Sequence, residues 1–321
     1  MTGSSCLAVM YHYVRDTART PFPDIRALPV ALFEQQLDWL QAEYDVVPLS
    51  CLTDALAGHG SLPRNAAVLT FDDGLIDHYE TVFPVLRRRG LNGTFFLTED
   101  ACSDTPRLLP VHKAQFLLAC LGADAFGQAV LAASGQPRQA GAAEVFGSDR
   151  WEDEDARAVK RLVVHELPFD QADRILDDLF VRHVGDPVAF AKTFYVRPAM
   201  VREMAEGGMT FGSHTRTHRM LARLSPEEQL YELSGGVAWI RGMTGQAAVP
   251  FCYPWGGPHT YTAETVRILG ESGYSLAFNT VRRQLRLDDP GFELPRIDTR
   301  DLPPYSTAEA ISRLLSATEQ V

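Results

Sequence analysis

The sequence predicts an α/β protein with a parallel sheet, open or closed into a barrel. Three observations carry this. Short apolar, β-branched runs alternate with stretches whose apolar residues recur at helical spacing. One run, Ala66-Ala67-Val68-Leu69-Thr70-Phe71, stops abruptly at Asp72-Asp73-Gly74, two carboxylates and a turn-permitting glycine. Another, over residues 209–213, stops at His214-Thr215-Arg216-Thr217-His218. Strand ends are where α/β folds place their ligands.

The elements follow in order. Residues 6–11 form a first strand that ends at His12, before a loop holding Pro21, Pro23 and Pro29. Phe33, Leu37, Leu40 and Tyr44 predict a helix over residues 31–44. Residues 46–49 form a second strand, and Ser50 caps a short helix through Leu56. Residues 66–71 are the third strand. Tyr79, Phe83 and Leu86 continue as a helix that Gly90 stops, with a kink at Pro84. Residues 93–97 are the fourth strand.

From residue 99 to 198 the character changes to helical patterns, as in 114–121 and 172–180. Between them lies Ala/Gly/Gln-rich sequence and an acidic patch, Glu152-Asp153-Glu154-Asp155, read as a solvated face. Trp151, Phe169 and Phe180 need burial, so this is an inserted helical subdomain (99–198) within a barrel built from 1–98 and 199–321. The α/β rhythm then resumes. Pro198 opens a helix that Gly207-Gly208 ends. Ser225-Pro226-Glu227-Glu228 is a capping box, and Leu230, Leu233, Val237 and Ile240 form one buried stripe behind it. Strands at 248–253, 274–279 and 293–297, a helix at 263–269, and a last helix capped by Ser306 complete the chain.

Composition narrows the function. The 321 residues carry a formal net charge of −11, which argues against nucleic acid or an anionic membrane as partner. No long apolar span is evident, so no membrane segment is expected. The five cysteines lack any C-x-x-C pair, and Met1-Thr2-Gly3-Ser4-Ser5 has no basic stretch ahead of its short apolar run. A reduced, cytoplasmic protein is the expectation. Oligomeric state is not legible.

Two carboxylates at a buried strand mouth repel unless something positive lies between them. One answer is a divalent cation, with one Asp as ligand and the other free as a base; the other is an Asx-turn that caps the next helix. Histidines four apart fall on one face of a helical turn, so His214 and His218 reach one ion. Asp73 with both imidazoles makes a three-ligand site with open positions, the catalytic kind.

Thr70-Phe71-Asp72-Asp73-Gly74 followed by Ser213-His214-Thr215-Arg216-Thr217-His218 resembles the polysaccharide deacetylase (NodB-homology) family, carbohydrate esterase family 4. Residues 5–98 and 199–300 carry the resemblance. It implies a distorted (β/α) barrel and metal-dependent removal of N-acyl groups. Asp72 is then the general base, and Asp73, His214 and His218 hold the metal, zinc by default, with cobalt, nickel, iron or manganese suited to the same ligands. The third family motif, usually Arg-x-Pro-aromatic, reads Cys252-Tyr253-Pro254-Trp255 here. Arg296, in Leu294-Pro295-Arg296-Ile297-Asp298, either supplies the missing guanidinium or simply pairs with Asp298 or a surface acid. Trp255 matches the family's backbone oxyanion donor.

No histidine follows His259, so the family's late catalytic histidine is missing. Val9-Met10-Tyr11-His12-Tyr13-Val14 resembles instead the start of the circularly permuted branch, where the first strand supplies it. His12, oriented by Asp298, then protonates the leaving amine. His112, Lys113, Tyr253 and His259 are candidates for touching substrate. The expected substrate is a small intracellular N-acyl amino sugar, acetylated or formylated. A polysaccharide or oligosaccharide, a cyclic-imide or allantoin-type amide, and an inactive sugar-binding module are the alternatives. A nucleotide-linked sugar would need local cations, with Lys113 and Arg216 first.

Overall fold

The computed structural model describes residues 5–135 and 154–316. Residues 1–4, Trp151 and the side chains of the acidic patch at 152–155 lie outside that description. In chain order the elements are β1 (Ser5–Tyr11), α1 (Val30–Glu43), β2 (Asp45–Val46), α2 (Leu49–Leu56), β3 (Ala66–Phe71), α3 (Phe83–Arg89) and β4 (Thr94–Leu97). Then come α4 (Pro110–Ser134), α5 (Glu154–Arg161), α6 (Phe169–His183), α7 (Pro187–Phe194), α8 (Pro198–Glu206) and β5 (Thr210–Ser213). The chain ends with α9 (Pro226–Leu233), α10 (Gly236–Thr244), β6 (Phe251–Cys252), α11 (Ala263–Glu271), β7 (Ala277–Phe278), β8 (Leu285–Arg286), β9 (Ile297–Asp298) and α12 (Ala308–Ser316).

The chain divides into two compact units. One comprises Met1–Arg15, Leu28–Asp104 and Tyr195–Val321; the other comprises Asp16–Ala27 and Thr105–Phe194. The Pro-rich loop at 16–27, assigned to the barrel from composition, thus groups with the helices of the insertion.

The first unit holds the sheet, in the order β7-β6-β5-β4-β3-β1-β8. Its parallel pairs put every chemistry-bearing turn at the same edge. β1 and β3 run in register from Cys6–Ala66 to Tyr11–Phe71, so the next residues, His12 and Asp72, emerge side by side. β4 pairs with β5 up to Leu97–Ser213, which delivers His214. β6 pairs with β7 at Cys252–Phe278. Leu294 bridges to Phe278, and β9 pairs with β1 through Val9–Ile297 and Met10–Asp298. Residues 294–298 therefore carry the pairing from β7 back to β1, curling the sheet into the distorted barrel.

Large rings in adjacent strands stack across the sheet. Tyr11 lies 5.1 Å from Phe71, Phe71 4.8 Å from Phe95, and Phe95 5.8 Å from Phe211. Phe33 of α1 covers Tyr11 edge-on at 5.3 Å. Burying rings of this size is worth about 1.5–3 kcal/mol each, and it keeps the strand ends rigid. A second cluster, with Ala8, Val68, Phe96, Cys252, Phe278 and Leu294, lies among the same strands.

Several local expectations change. Ser50 lies inside α2, which starts at Leu49 behind Pro48 without a side-chain cap. Pro84 sits in the first turn of α3, where its missing N–H costs nothing, and a π-helical turn (His78–Val82) precedes it. The stripe from Leu230 to Ile240 is split between α9 and α10, and Leu230 is exposed. The break has a cause: the Tyr274 hydroxyl donates to the Leu233 carbonyl at 2.8 Å, taking an acceptor from the helix. The Ser225–Glu228 capping box is present as expected. At the last helix the Ala310 N–H meets the Thr307 hydroxyl, so Thr307 takes the place assigned to Ser306. The antiparallel strand β8, two residues long, was not anticipated.

In the second unit, α4 is long and apolar enough by composition to cross a membrane, contrary to the expectation of no such span. Gly122, at φ 77° and ψ 165°, breaks it into two halves of about twelve residues, well short of the roughly 20 a span needs. Its core is aromatic, with Phe116 packed at 4.9, 4.7 and 5.3 Å from Phe22, Phe190 and Phe194.

Candidate active site

Four non-glycine residues have left-handed backbone among the described residues: Asp73 (φ 78°), Thr215 (φ 65°), His218 (φ 61°) and Trp255 (φ 66°). Such conformations are costly for residues with a Cβ and persist where the surroundings over-determine them. All four lie in the turns after β3, β5 and β6. Gly74, at φ 64°, must be glycine, because a Cβ there would run into Leu97 and the Cys102 sulfur.

His214 and His218 do not sit on a helical turn, as their spacing suggested. The chain reverses between them through the left-handed Thr215, whose hydroxyl accepts the His218 N–H at 2.9 Å. The outcome for the rings is the one anticipated. Their centroids are 4.8 Å apart, and Asp73 Oδ1 lies 3.5 Å from His214 Nε2 and 3.3 Å from His218 Nε2. All three residues are buried, and their ligand atoms lie within 4.8 Å of one another.

The tautomer of His214 matters. Its Nδ1 donates to the Cys252 carbonyl at 2.8 Å, so Nε2 turns toward the carboxylate. A neutral ring would then aim a lone pair at a negative oxygen, which is repulsive unless a cation or proton lies between. Burial opposes charge on His214, but Cys252 and Asp73 favour it, and the balance lies well above the ordinary imidazole value. A ring that donates its far nitrogen to a backbone carbonyl is the usual support for a metal-binding histidine. The donor set of one carboxylate and two imidazoles therefore fits a divalent cation.

Asp72 is held differently. Arg296 reaches it with Nη1 to Oδ1 at 2.8 Å and Nη2 to Oδ2 at 2.7 Å. The guanidinium also donates to the Asn279 carbonyl, the Thr70 hydroxyl and the Cys252 sulfur. It lies over the Phe96 and Phe278 rings at 5.8 and 5.9 Å. Arg296 pairs with the buried Asp72 rather than with Asp298 or a surface acid. Burial pushes the Asp72 carboxyl up, but the charge and hydrogen bonds of Arg296 outweigh this and hold it at about 2. Burial, helped by the Asp72 charge, raises the Cys252 thiol against the opposing pull of Arg296 and His214.

His12 Nε2 stands 3.9 Å from Asp72 Oδ2, with its side chain 40% exposed. Asp298, two strands from Asp72, is raised by burial and lowered by its Arg300 N–H bond and by the nearby His12. Its Oδ1 accepts the Arg300 N–H at 2.7 Å. Trp255 packs 5.6 Å from the His218 ring. Asp72, Asp73, His12, His214, His218, Trp255, Arg296 and Asp298 thus gather at the C-terminal ends of the parallel strands.

The other anticipated residues have partners or surroundings of their own. Tyr253 is a core residue: its ring stacks 3.9 Å from Tyr261 and its hydroxyl donates to the Phe292 carbonyl. His259 is exposed on the loop after Gly257. His112 and Lys113 belong to the second unit, both buried, His112 against Phe194 and Lys113 in an ion pair with Asp177 at 2.5 Å. Arg216 is occupied as well, paired with Glu99 at 3.1 Å and lying 4.5 Å over Tyr231.

Three buried polar residues were not anticipated. Glu232 accepts the N–H groups of Arg216 and Thr217 at 3.0 and 2.8 Å, fixing the loop between the histidines. Asp77 and His78 do the same for the segment after β1. The signal available for all three was a polar residue inside an otherwise apolar stretch.

This constellation at the strand ends of a distorted barrel is the NodB-homology pattern. The polysaccharide deacetylase family profile matches residues 59–114 and 174–277, and the chain belongs to that family. The poly-β-1,6-N-acetyl-D-glucosamine N-deacetylase of Escherichia coli K12 is 35% identical over 83 residues, which is 25% of this chain. That stretch is 12% of the E. coli protein, so the chain matches only a small part of its curated relative. The Streptococcus pyogenes deacetylase PplD, solved with acetate, superposes with a TM-score of 0.61 at 18% identity, over 98% of this chain and 100% of that one. IcaB from Ammonifex degensii gives 0.55 at 20% identity, over 97% and 96%. These two likenesses are of fold.

Proposed function

We propose that this chain is a metal-dependent hydrolase that removes the acetyl group from N-acetylglucosamine units. The observation that carries the reading is the buried triangle of Asp73, His214 and His218 beside an Asp72 gripped by Arg296. Asp73, His214 and His218 would hold the ion, with zinc first and cobalt, nickel, iron or manganese suited to the same donors. When bound, it supplies Lewis acidity at the acyl carbonyl and lowers the pKa of water.

The chain's own residues supply the rest. Asp72, ionised at neutral pH because of Arg296, accepts a proton from the attacking water. His12 is exposed enough to meet substrate and stands beside Asp72, so it suits delivery of a proton to the departing amine. Without that proton the amine would leave as an anion, far too slowly. Asp298, which lies near His12, is the candidate to orient it. The backbone N–H of Trp255 is the candidate donor to the oxyanion.

On substrate size, the sequence alone led to the expectation of a small intracellular sugar. The name of the Escherichia coli relative supports a longer glycan, and Lys113 and Arg216, the cations first considered for a nucleotide-linked sugar, are each paired with a carboxylate. A β-linked N-acetylglucosamine oligomer or polymer is the better reading. The test assays metal-loaded enzyme against β-1,6-linked N-acetylglucosamine oligomers of rising length, chitin oligomers, peptidoglycan fragments and N-acetyl and N-formyl monosaccharides, reading released acid. Rates that climb with oligomer length support this reading; cleavage of monosaccharides alone restores the small-substrate one. No cleavage of any N-acyl sugar overturns the function.

A further inference from the structure

The segment that carries His12 is fastened at four points to the stretch that follows Asp72. The Tyr11 carbonyl accepts the Asp72 N–H at 3.0 Å. The His12 carbonyl accepts the His78 Nε2–H at 3.1 Å. Asp77 Oδ2 accepts the Val14 N–H at 3.1 Å. The same carboxylate holds the Arg15 guanidinium at 2.7 and 2.6 Å. Two adjacent side chains, Asp77 and His78, therefore bracket His12.

His78 is a costly residue to place there. It is fully buried, with its ring 5.7 Å from Phe71 and 5.5 Å from Phe95. Its Nδ1 has no hydrogen-bond partner among the described residues. A buried unsatisfied polar atom costs about 1–3 kcal/mol, and a leucine or phenylalanine would fill an aromatic slot without that cost. Its one polar output is the bond to the His12 carbonyl. It also opens the π-helical turn His78–Val82, a backbone irregularity that recurs at functional sites. Burial holds its pKa down at about 4, so at neutral pH the ring is uncharged and keeps a single N–H for this bond.

We propose that His78 is a positioning residue for His12, acting through the His12 backbone carbonyl, with Asp77 as the second anchor. This rests on the reading of His12 as the proton donor to the leaving amine. A donor misplaced by about 1 Å loses on the order of 100-fold in rate, so a residue that sets the strand end sets the chemistry.

The experiment compares an N-acetylglucosamine oligomer, whose amine needs a proton to leave, with 4-nitrophenyl acetate, whose phenolate does not. His78→Leu is expected to lower kcat on the amide roughly 10- to 100-fold, with KM within about twofold and the ester rate within about threefold. His78→Gln keeps an N–H donor near the Nε2 position and should recover most of the loss. A crystal structure of His78→Leu should show the His12 ring displaced while His214 and His218 stay in place. Equal losses on both substrates, no loss on either, or folded Leu and Gln variants that behave alike overturn the proposal. Should His78→Leu not fold, Asp77→Asn takes its place with the same amide-selective expectation. His12→Ala separates the two levels: if it is not amide-selective, the reading of His12 has failed; if it is and His78→Leu is not, the positioning proposal alone has failed.

Discussion

Arg296 grips both oxygens of Asp72 from a segment that the third family motif does not contain, and Cys252 occupies the place where that motif carries its arginine. The two are 44 residues apart, yet Arg296 Nη2 lies 2.8 Å from the Cys252 sulfur. The guanidinium that holds Asp72 comes from the strand connection that closes the barrel. The small thiol leaves room for it, and the Asn279 carbonyl and Thr70 hydroxyl take its remaining N–H groups.

Removing one member of a fully buried, bidentate pair leaves an uncompensated charge, which costs about 3–5 kcal/mol. Arg296→Met is expected to destabilise by that order and to abolish most turnover. Arg296→Lys should rescue little, since an ammonium cannot span both oxygens. Chemical denaturation and steady-state rates check both.

The pair also sets an acid limit. The folded Asp72 is depressed to about 2 from an ordinary value near 3.8. A depressed carboxyl stabilises the fold fully above the higher value and loses that contribution as pH falls toward the lower one. The wild type should therefore lose stability between about pH 4 and 2 through this group, and Arg296→Met should lose less there. Melting temperatures across that range, compared between the two proteins, test the sign.

The two aspartates should separate metal content from turnover. Asp73→Ala, His214→Ala and His218→Ala each remove a donor and should lose bound metal together with activity. Asp72→Asn keeps the three donors, so metal should stay near the wild-type level while turnover falls by at least roughly 100-fold. Elemental analysis after dialysis, beside activity before and after chelation and zinc addition, distinguishes them. A fully active metal-free protein would defeat the proposal.

How much of this was legible in the sequence depends on range. The strand Ala66–Phe71, its terminal Asp pair and the His214–His218 pair were readable because each is a local pattern tied to a local consequence. The meeting of His12 with Asp72 was readable only through a resemblance, since parallel register over β1 and β3 sets it. The bent loop at Thr215 and the split at Ser234-Gly235 were not readable. One follows from a left-handed residue held by its own hydroxyl, the other from Tyr274 arriving from β7's side of the chain. Tyr253 misled because a tyrosine beside a motif looks the same whether its hydroxyl meets substrate or the Phe292 carbonyl. Asp77 and His78 escaped notice because their partners lie more than sixty residues earlier.

Gly212 should tolerate no side chain. It precedes Ser213 and His214 in β5, and a Cβ there would lie 2.5 Å from the Phe96 ring and 2.7 Å from the Pro250 carbonyl oxygen. The ring can turn, but the carbonyl, just ahead of β6, is backbone held by the Ser213 N–H. Gly212→Ala is expected to cost about 1–3 kcal/mol and to weaken metal retention by shifting His214. A melt that matches wild type would show that β5 and β6 can separate freely.

His78 makes a pH-dependent cost visible apart from any activity. Its folded pKa is held down at about 4 by burial, against about 6.5 when unfolded. Between those values the unfolded chain binds the proton and the folded one does not, so stability falls as pH drops from about 6.5 to 4. The full penalty, on the order of a few kcal/mol at about 1.4 kcal/mol per pH unit, is reached at the lower end. In His78→Phe no proton is taken up by the unfolded chain at this position. The variant should therefore gain on the wild type steadily as pH falls through that window, even if it starts less stable at pH 7. Urea midpoints at pH 7, 6, 5 and 4, taken as differences between the two proteins, cancel the contributions common to both. A constant difference across all four would mean that the ring is reached by solvent and titrates as freely folded as unfolded.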